Sequence, residues 1–278
     1  MTVDWFYRNH LGLVIILFLG LFAVYAGILH DLSLAWLNDE NYSHGFLVPF
    51  ISAYFIWQQR DKLQKIPLRP SNGGLLLIAF SLCVLFVGVA AQEYYSMRSS
   101  FIFLLGGLVV FLLGWNWLKA LALPIGFLFF MIPLPYIVYD AMAFPLKLFV
   151  AKFSVITLKL MGVVVLREGN IIMFPQTVLE VADACSGLRS LMSLLALGVA
   201  LAVFTQPKIS RRVLLVSLTL PIAIATNMIR VIGTGYLAQH YGAAAAEGFF
   251  HEFAGMAVFI LAMVLLFVSS GVLRKVWP

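Results

Sequence analysis

Charge is scarce in this chain. Of its 278 residues only 11% are charged, against 63% hydrophobic. So little polar surface cannot coat a soluble domain of this length, which excludes an ordinary water-soluble enzyme or binding module. Cysteine is scarcer still. Cys83 and Cys185 are the only two. They lie far apart, so neither a disulfide framework nor a CxxC metal site is present. Repeats of useful length and low-complexity segments are absent as well. Acidic residues are outnumbered by basic ones, 12 to 18, for a net charge of +6. In so apolar a chain the basic residues mark loops that stay in the cytoplasm, and no nucleic-acid partner is implied.

What the chain has instead is long apolar runs, several of them near the 20 residues or so that cross a bilayer. The first spans 11–29, after Arg8 and His10. It has no small-residue cleavage site near its end and is expected to be retained as a helix. Further crossings are expected at 45–58, 75–91, roughly 99–114, 187–205, 213–236 and 253–272. Between 120 and 166, two apolar segments are split by Pro133, Pro135 and Pro145. The basic loops 60–69 and 206–212 and the tail with Arg274 and Lys275 all fall inside if only one of these segments crosses. Lys147, Lys152 and Lys159 nominate the second as the interfacial or re-entrant one. The expected fold is an all-α integral membrane protein with about eight transmembrane helices. It forms one polytopic domain over residues 1–278, with both termini cytoplasmic. All acidic residues except Asp4 and Asp61 then lie outside. Residues 167–182 turn polar, and Ile171–Phe174 and Val178–Val181 suggest a short periplasmic β-hairpin before the next helix.

The chemistry gathers at the outer ends of the last helices. Asp183 is a candidate N-cap that would put Cys185 in a first helical turn, where the partial positive charge favours a thiolate. Arg189 is four residues on and shares that face. Arg230 is 17 residues past 213, roughly 25 Å along a helix, which sets it near the outer boundary. Asn227 is one turn below it. His251 opens the last helix and His44 the second. A thiolate, a proton shuttle and a cation for the oxyanion are the parts of a thiol acyl transferase. An arginine close to lipid needs a partner or a task.

Blander readings exist for several of these residues. Cys83, between Leu82 and Val84, reads as packing. Arg189 has Asp183 or Glu180 as partners, or snorkels. His44 reads equally as an interface residue. His44, His251 and Asp183 lack the spacing of a metal site, and no cofactor is called for. A transporter or channel with an Arg-lined anion path is the main alternative, although no inverted repeat is visible. A membrane acyltransferase with His251 as base would not need Cys185.

Three stretches together resemble the exosortase family: Ala184-Cys185-Ser186-Gly187-Leu188-Arg189-Ser190, Asn227-Met228-Ile229-Arg230-Val231, and His251-Glu252-Phe253-Ala254-Gly255. Tyr42-Ser43-His44-Gly45-Phe46-Leu47-Val48-Pro49 resembles the family's early motif. Exosortases are multi-pass inner-membrane cysteine enzymes of Gram-negative bacteria, related to archaeosortases. The resemblance implies Cys185 as nucleophile, Arg230 as transition-state stabiliser and His251 as general acid/base at the periplasmic face. Arg189, Asn227, His44 and Glu180 are candidate substrate-binding residues beside them. It implies substrates anchored in the membrane by C-terminal sorting tails of the PEP-CTERM type: a Pro-Glu-Pro-like motif, a transmembrane helix and a basic cluster. It further implies a transpeptidase tied to exopolysaccharide or surface attachment. Some relatives carry an additional periplasmic domain. This chain stops at Pro278, so such a partner is expected as a separate protein. Small residues Gly187, Ser190, Ser193 and Gly198 are expected to let the substrate helix pack closely, and the hairpin to cover the site or grip the motif.

Overall fold

The computed structural model describes residues 3–175, 178–181, 188–241 and 249–276. The chain divides into two compact units, Met1–Pro135 and Tyr136–Pro278.

The first unit opens with helix α1 (Val3–Asn38), which carries the first apolar run. A 3-10 turn, Glu40–Phe46, leads into α2 (Leu47–Gln58) and the short α3 (Arg60–Leu63). Helices α4 (Gly73–Ala91) and α5 (Tyr94–Leu112) form a hairpin, followed by α6 (Trp115–Phe127). The α4–α5 joint follows from local chemistry. Gln92 takes a left-handed conformation (φ 54°) that stops α4. The next residue, Glu93, then caps α5 by accepting from the backbone N–H groups of Tyr95 and Ser96 at 2.9 and 2.6 Å. This cap starts the helix at Tyr94, before the expected 99. The unit's interior packs Tyr25 of α1 among Leu85, Leu104 and Leu108. The Tyr25 hydroxyl meets Ser100 Oγ at 2.9 Å, so its burial leaves no unmet polar group.

The second unit begins with α7 (Tyr136–Leu160). Three strands follow, β1 (Leu166–Glu168), β2 (Ile171–Met173) and β3 (Val178–Glu180), in an antiparallel sheet of order β1-β2-β3. The hairpin suggested by sequence comprises β2 and β3; β1 was not foreseen. Gly169 (φ +60°) sits first in the two-residue β1–β2 loop, where a type II′ turn requires positive φ. Helices α8 (Leu188–Thr205), α9 (Ile209–Tyr241) and α10 (Phe249–Val276) pack together, with α7 against α9. The sheet lies on α7 and α9. Ile172, Phe174, Leu179 and Val181 share one core with Val150, Leu158 and Val231. At the other end of this unit the α8–α9 turn is tied to α10. Gln206 Nε2 donates to the Ser270 carbonyl at 3.0 Å, and Arg212 Nε donates back to the Gln206 carbonyl at 2.8 Å.

Among the described residues five helices are long and apolar enough to cross a membrane: α4, α5, α7, and the Ile209–Gln239 and Phe253–Val276 parts of α9 and α10. Helices α2 and α6, at 12 and 13 residues, extend only about 18–20 Å against a core of about 30 Å. Of the two segments at 120–166, it is the second that is long and apolar enough to cross. The long helix is the second one, α7, despite Lys147, Lys152 and Lys159. Lysine is a good helix former and its stem can snorkel. Cys83 is exposed on α4 rather than packed.

Candidate functional site

The site is best built outward from α9. Along this helix Asn227, Arg230 and Thr234 are spaced by three and four residues and hence share one face. Asn227 is buried and Arg230 is half-buried. The guanidinium lies against α10 where that helix has no side chain. A Cβ placed at Gly255 would stand 3.4 Å from Arg230 Nη2 and 3.5 Å from Cζ. His251 is in the first turn of α10, four residues before Gly255, so helical period sets both positions on one face.

Arg230 also shares a crevice with the sheet. Leu179, Glu180 and Val181 line one crevice with Arg230, Val231 and Thr234. The strand is held there by its alternation: Leu179 and Val181 are buried in the core with Val231, while Val178 and Glu180 are exposed. Glu180 is steadied by Asn170, whose Nδ2 donates to Oε1 at 3.3 Å.

A family model, transmembrane exosortase (Exosortase_EpsH), matches residues 36–268. The chain belongs to the transmembrane exosortase family. No curated protein and no solved structure matches it. Exosortase membership and its apolar helices make this a multi-pass membrane protein set in a lipid bilayer.

Within this exosortase the expected site residues fall into three groups. Arg230, Asn227 and Glu180 belong to the described neighbourhood of the crevice, and His251 to the helix beside it. Cys185 and Asp183 lie outside the described residues, as does the proposed N-cap; Arg189 falls in the first turn of α8. His44 belongs to the first unit. Its Nε2 is 3.2 Å from the Phe130 carbonyl, which can only accept, so that nitrogen carries the proton. Burial pushes the imidazole pKa down, while backbone hydrogen bonds to Phe130 and Asn41 pull it up by less. Two neighbours help His44 clasp the same loop. Trp36 Nε1 donates to the Met131 carbonyl at 2.8 Å, and the Tyr42 hydroxyl accepts from Leu134 N–H at 3.3 Å.

One expectation needs correction. Gly198 does not offer its face to a substrate helix: a Cβ there would meet Thr219 Oγ1 of α9 at 2.5 Å, so the chain's own helix fills that space. Phe174 of the hairpin belongs to the core. It is 7% exposed and its ring packs against Gly235. Sequence reading missed Thr234 as a crevice residue. The signal was available in the polar stripe at 227, 230 and 234. Among the described residues no group of His, Cys, Asp or Glu could hold a metal.

Proposed function

We propose that this exosortase is a membrane cysteine transpeptidase or peptidase that cleaves the C-terminal sorting tails of exported, membrane-anchored proteins. Cys185 is the nucleophile, His251 the general acid/base and Arg230 the stabiliser of the oxyanion. The observation that carries this reading is the seat of Arg230. It faces α10 one turn from the position of His251 and shares a crevice with Val181. Four peptide steps link Val181 to Cys185, at most about 14 Å of chain, so the thiol is tethered to the cation.

The chemistry then runs in two halves. Cys185 gives its thiol proton to His251, its sulfur adds to the scissile carbonyl carbon, and the carbonyl electrons move onto oxygen, where Arg230 meets the new charge. The C–N bond breaks as His251 passes a proton to the leaving amine, which leaves a thioester. Water or an acceptor amine, giving a proton to His251, attacks the thioester carbonyl carbon and the C–S bond breaks to release the Cys185 thiolate. The site is assigned to the periplasmic face of a bacterial inner membrane, with both termini cytoplasmic, on the distribution of basic loops. An anion-conducting reading has less support, since the family match is to exosortases and includes Cys185.

The test is processing in cells of a protein from the same genome that bears a Pro-Glu-Pro-like tail. Wild type is compared with Cys185→Ala, Arg230→Ala and His251→Ala, each checked for membrane insertion. A size shift lost in all three supports the reading, and a shift that survives Cys185→Ala removes the nucleophile.

A further inference from the structure

Among the described residues the sheet beside Arg230 has an open hydrogen-bonding edge, and its register shows which backbone groups lie on it. Val181 N–H donates to the Asn170 carbonyl at 2.9 Å. The pair 170/181 is therefore hydrogen-bonded, and antiparallel alternation makes 172/179 hydrogen-bonded and 171/180 and 173/178 not. The β1–β2 side agrees. There the pair closing the two-residue loop is Glu168 with Ile171, so the backbone groups of Ile171 turn toward β1. It follows that the N–H and C=O of both Val178 and Glu180 point away from β2. Among the described residues no strand pairs with them. Their side chains are exposed, and Glu180 lines the crevice that holds Arg230.

We infer that the free edge of β3 is the docking strand for the peptide substrate. An extended segment of the tail adds to the sheet as a fourth strand, bonded to the backbone of Val178 and Glu180. This inference rests on the proposed function for its occupant. Three observations favour a peptide. The groups on this edge are backbone donors and acceptors, which an extended peptide meets through its own C=O groups and the N–H groups of its non-proline residues. The edge ends at the crevice lined by Arg230. The chain then reaches the proposed nucleophile within five residues of Glu180. A three-residue strand with a carboxylate on its edge is too short and too charged to pair readily with another sheet, which fits transient addition of one peptide.

The test uses the full-length protein in lipid nanodiscs and a fluorescent synthetic peptide of the sorting tail used above. Binding is read with Cys185→Ala, which holds peptide without turnover, and cleavage with wild-type protein. Backbone N-methylation is scanned along the peptide, since it blocks only amides that donate to the edge. Glu180→Pro removes an edge-facing N–H without touching the β2–β3 ladder. Arg167→Pro is the control, because by the same alternation it removes an edge-facing N–H from β1. The expected results are a period-two pattern of sensitivity to N-methylation and a loss of affinity of about tenfold in Glu180→Pro, with Arg167→Pro unchanged. Binding without that period, binding retained by Glu180→Pro, or no binding at all overturns the inference. So does a Glu180→Pro protein that changes from dimer to monomer while still binding peptide, since the edge then belongs to a second copy. Period-two binding together with cleavage that persists in Cys185→Ala keeps the docking strand and removes the thiol mechanism instead.

Discussion

Arg230 of α9 and Gly255 of α10 meet across the helix pair: a Cβ at position 255 would lie 3.4 Å from the guanidinium Nη2. That is ordinary van der Waals distance for a methyl group and no room for more. Gly255→Ala is therefore expected to keep most tail processing. Gly255→Leu is expected to displace the guanidinium and lose roughly 10²–10³-fold, as removal of an oxyanion donor does. Processing rates with matched membrane levels check this. Equal rates for Leu and Ala would show that the position of Arg230 is not set at Gly255.

Arg230→Lys keeps the charge but replaces a planar fork with a point charge. We expect processing well below wild type, with the protein still inserted and folded. Full activity in the lysine variant would mean that only the charge matters.

Phe174 and Gly235 form a second contact that stability measurements can read. A Cβ at 235 would approach Phe174 Cζ to 2.9 Å and Leu158 Cδ1 to 3.2 Å. Overpacking of this kind costs about 1–3 kcal/mol. In detergent, Gly235→Ala should unfold at lower temperature, and Phe174→Leu should be less damaging in that background than in wild type. Strict additivity of the two would show that they do not press on one another.

Gly198→Ala addresses helix packing. The new methyl would press on Thr219 of α9, so the variant should be less stable with no substrate present, and Thr219→Ala should relieve it. If instead stability holds and only processing falls, the Gly198 face meets the substrate.

His44 provides the pH dependence. Burial, the largest influence, depresses its pKa below the ordinary 6.5. The unfolded chain then takes up the proton first as pH falls. Its contribution to stability is full above pH 6.5 and is lost as pH drops from there through the lower folded value. Amide protection around 130–134, taken relative to the intrinsic exchange rate at each pH, should fall on acidification. His44→Asn should be less protected at neutral pH and flatter in its response. An unchanged acid response in that variant would assign the effect elsewhere.

Much of the membrane architecture was legible along the chain. Runs such as 75–91 and 253–272 announce helices because a lipid environment rewards nothing but apolar length. Residues 45–58 are apolar too, but their length as a helix is set by what precedes them. Composition cannot show that the 3-10 turn at Glu40–Phe46 takes up part of the run and leaves α2 twelve residues long. At the site, Arg230 was conspicuous because an arginine among Ile229 and Val231 is costly. Val181 and Thr234 were not, since neither is unusual in type and each matters only through what it faces.

By itself the sequence determined that this is a multi-pass membrane protein, and its stretches around Cys185, Arg230 and His251 resemble the exosortase family. Both are properties of residue type and order: apolar length is local, and motif order survives any folding. Only the tertiary structure decided what each small or polar residue is for. It set Gly255 under the Arg230 guanidinium, closed Gly198 against Thr219, put Phe174 in the core and turned the backbone groups of Val178 and Glu180 away from β2. These outcomes depend on which helix or strand arrives opposite, and packing across dozens of residues of chain is not written in any one segment.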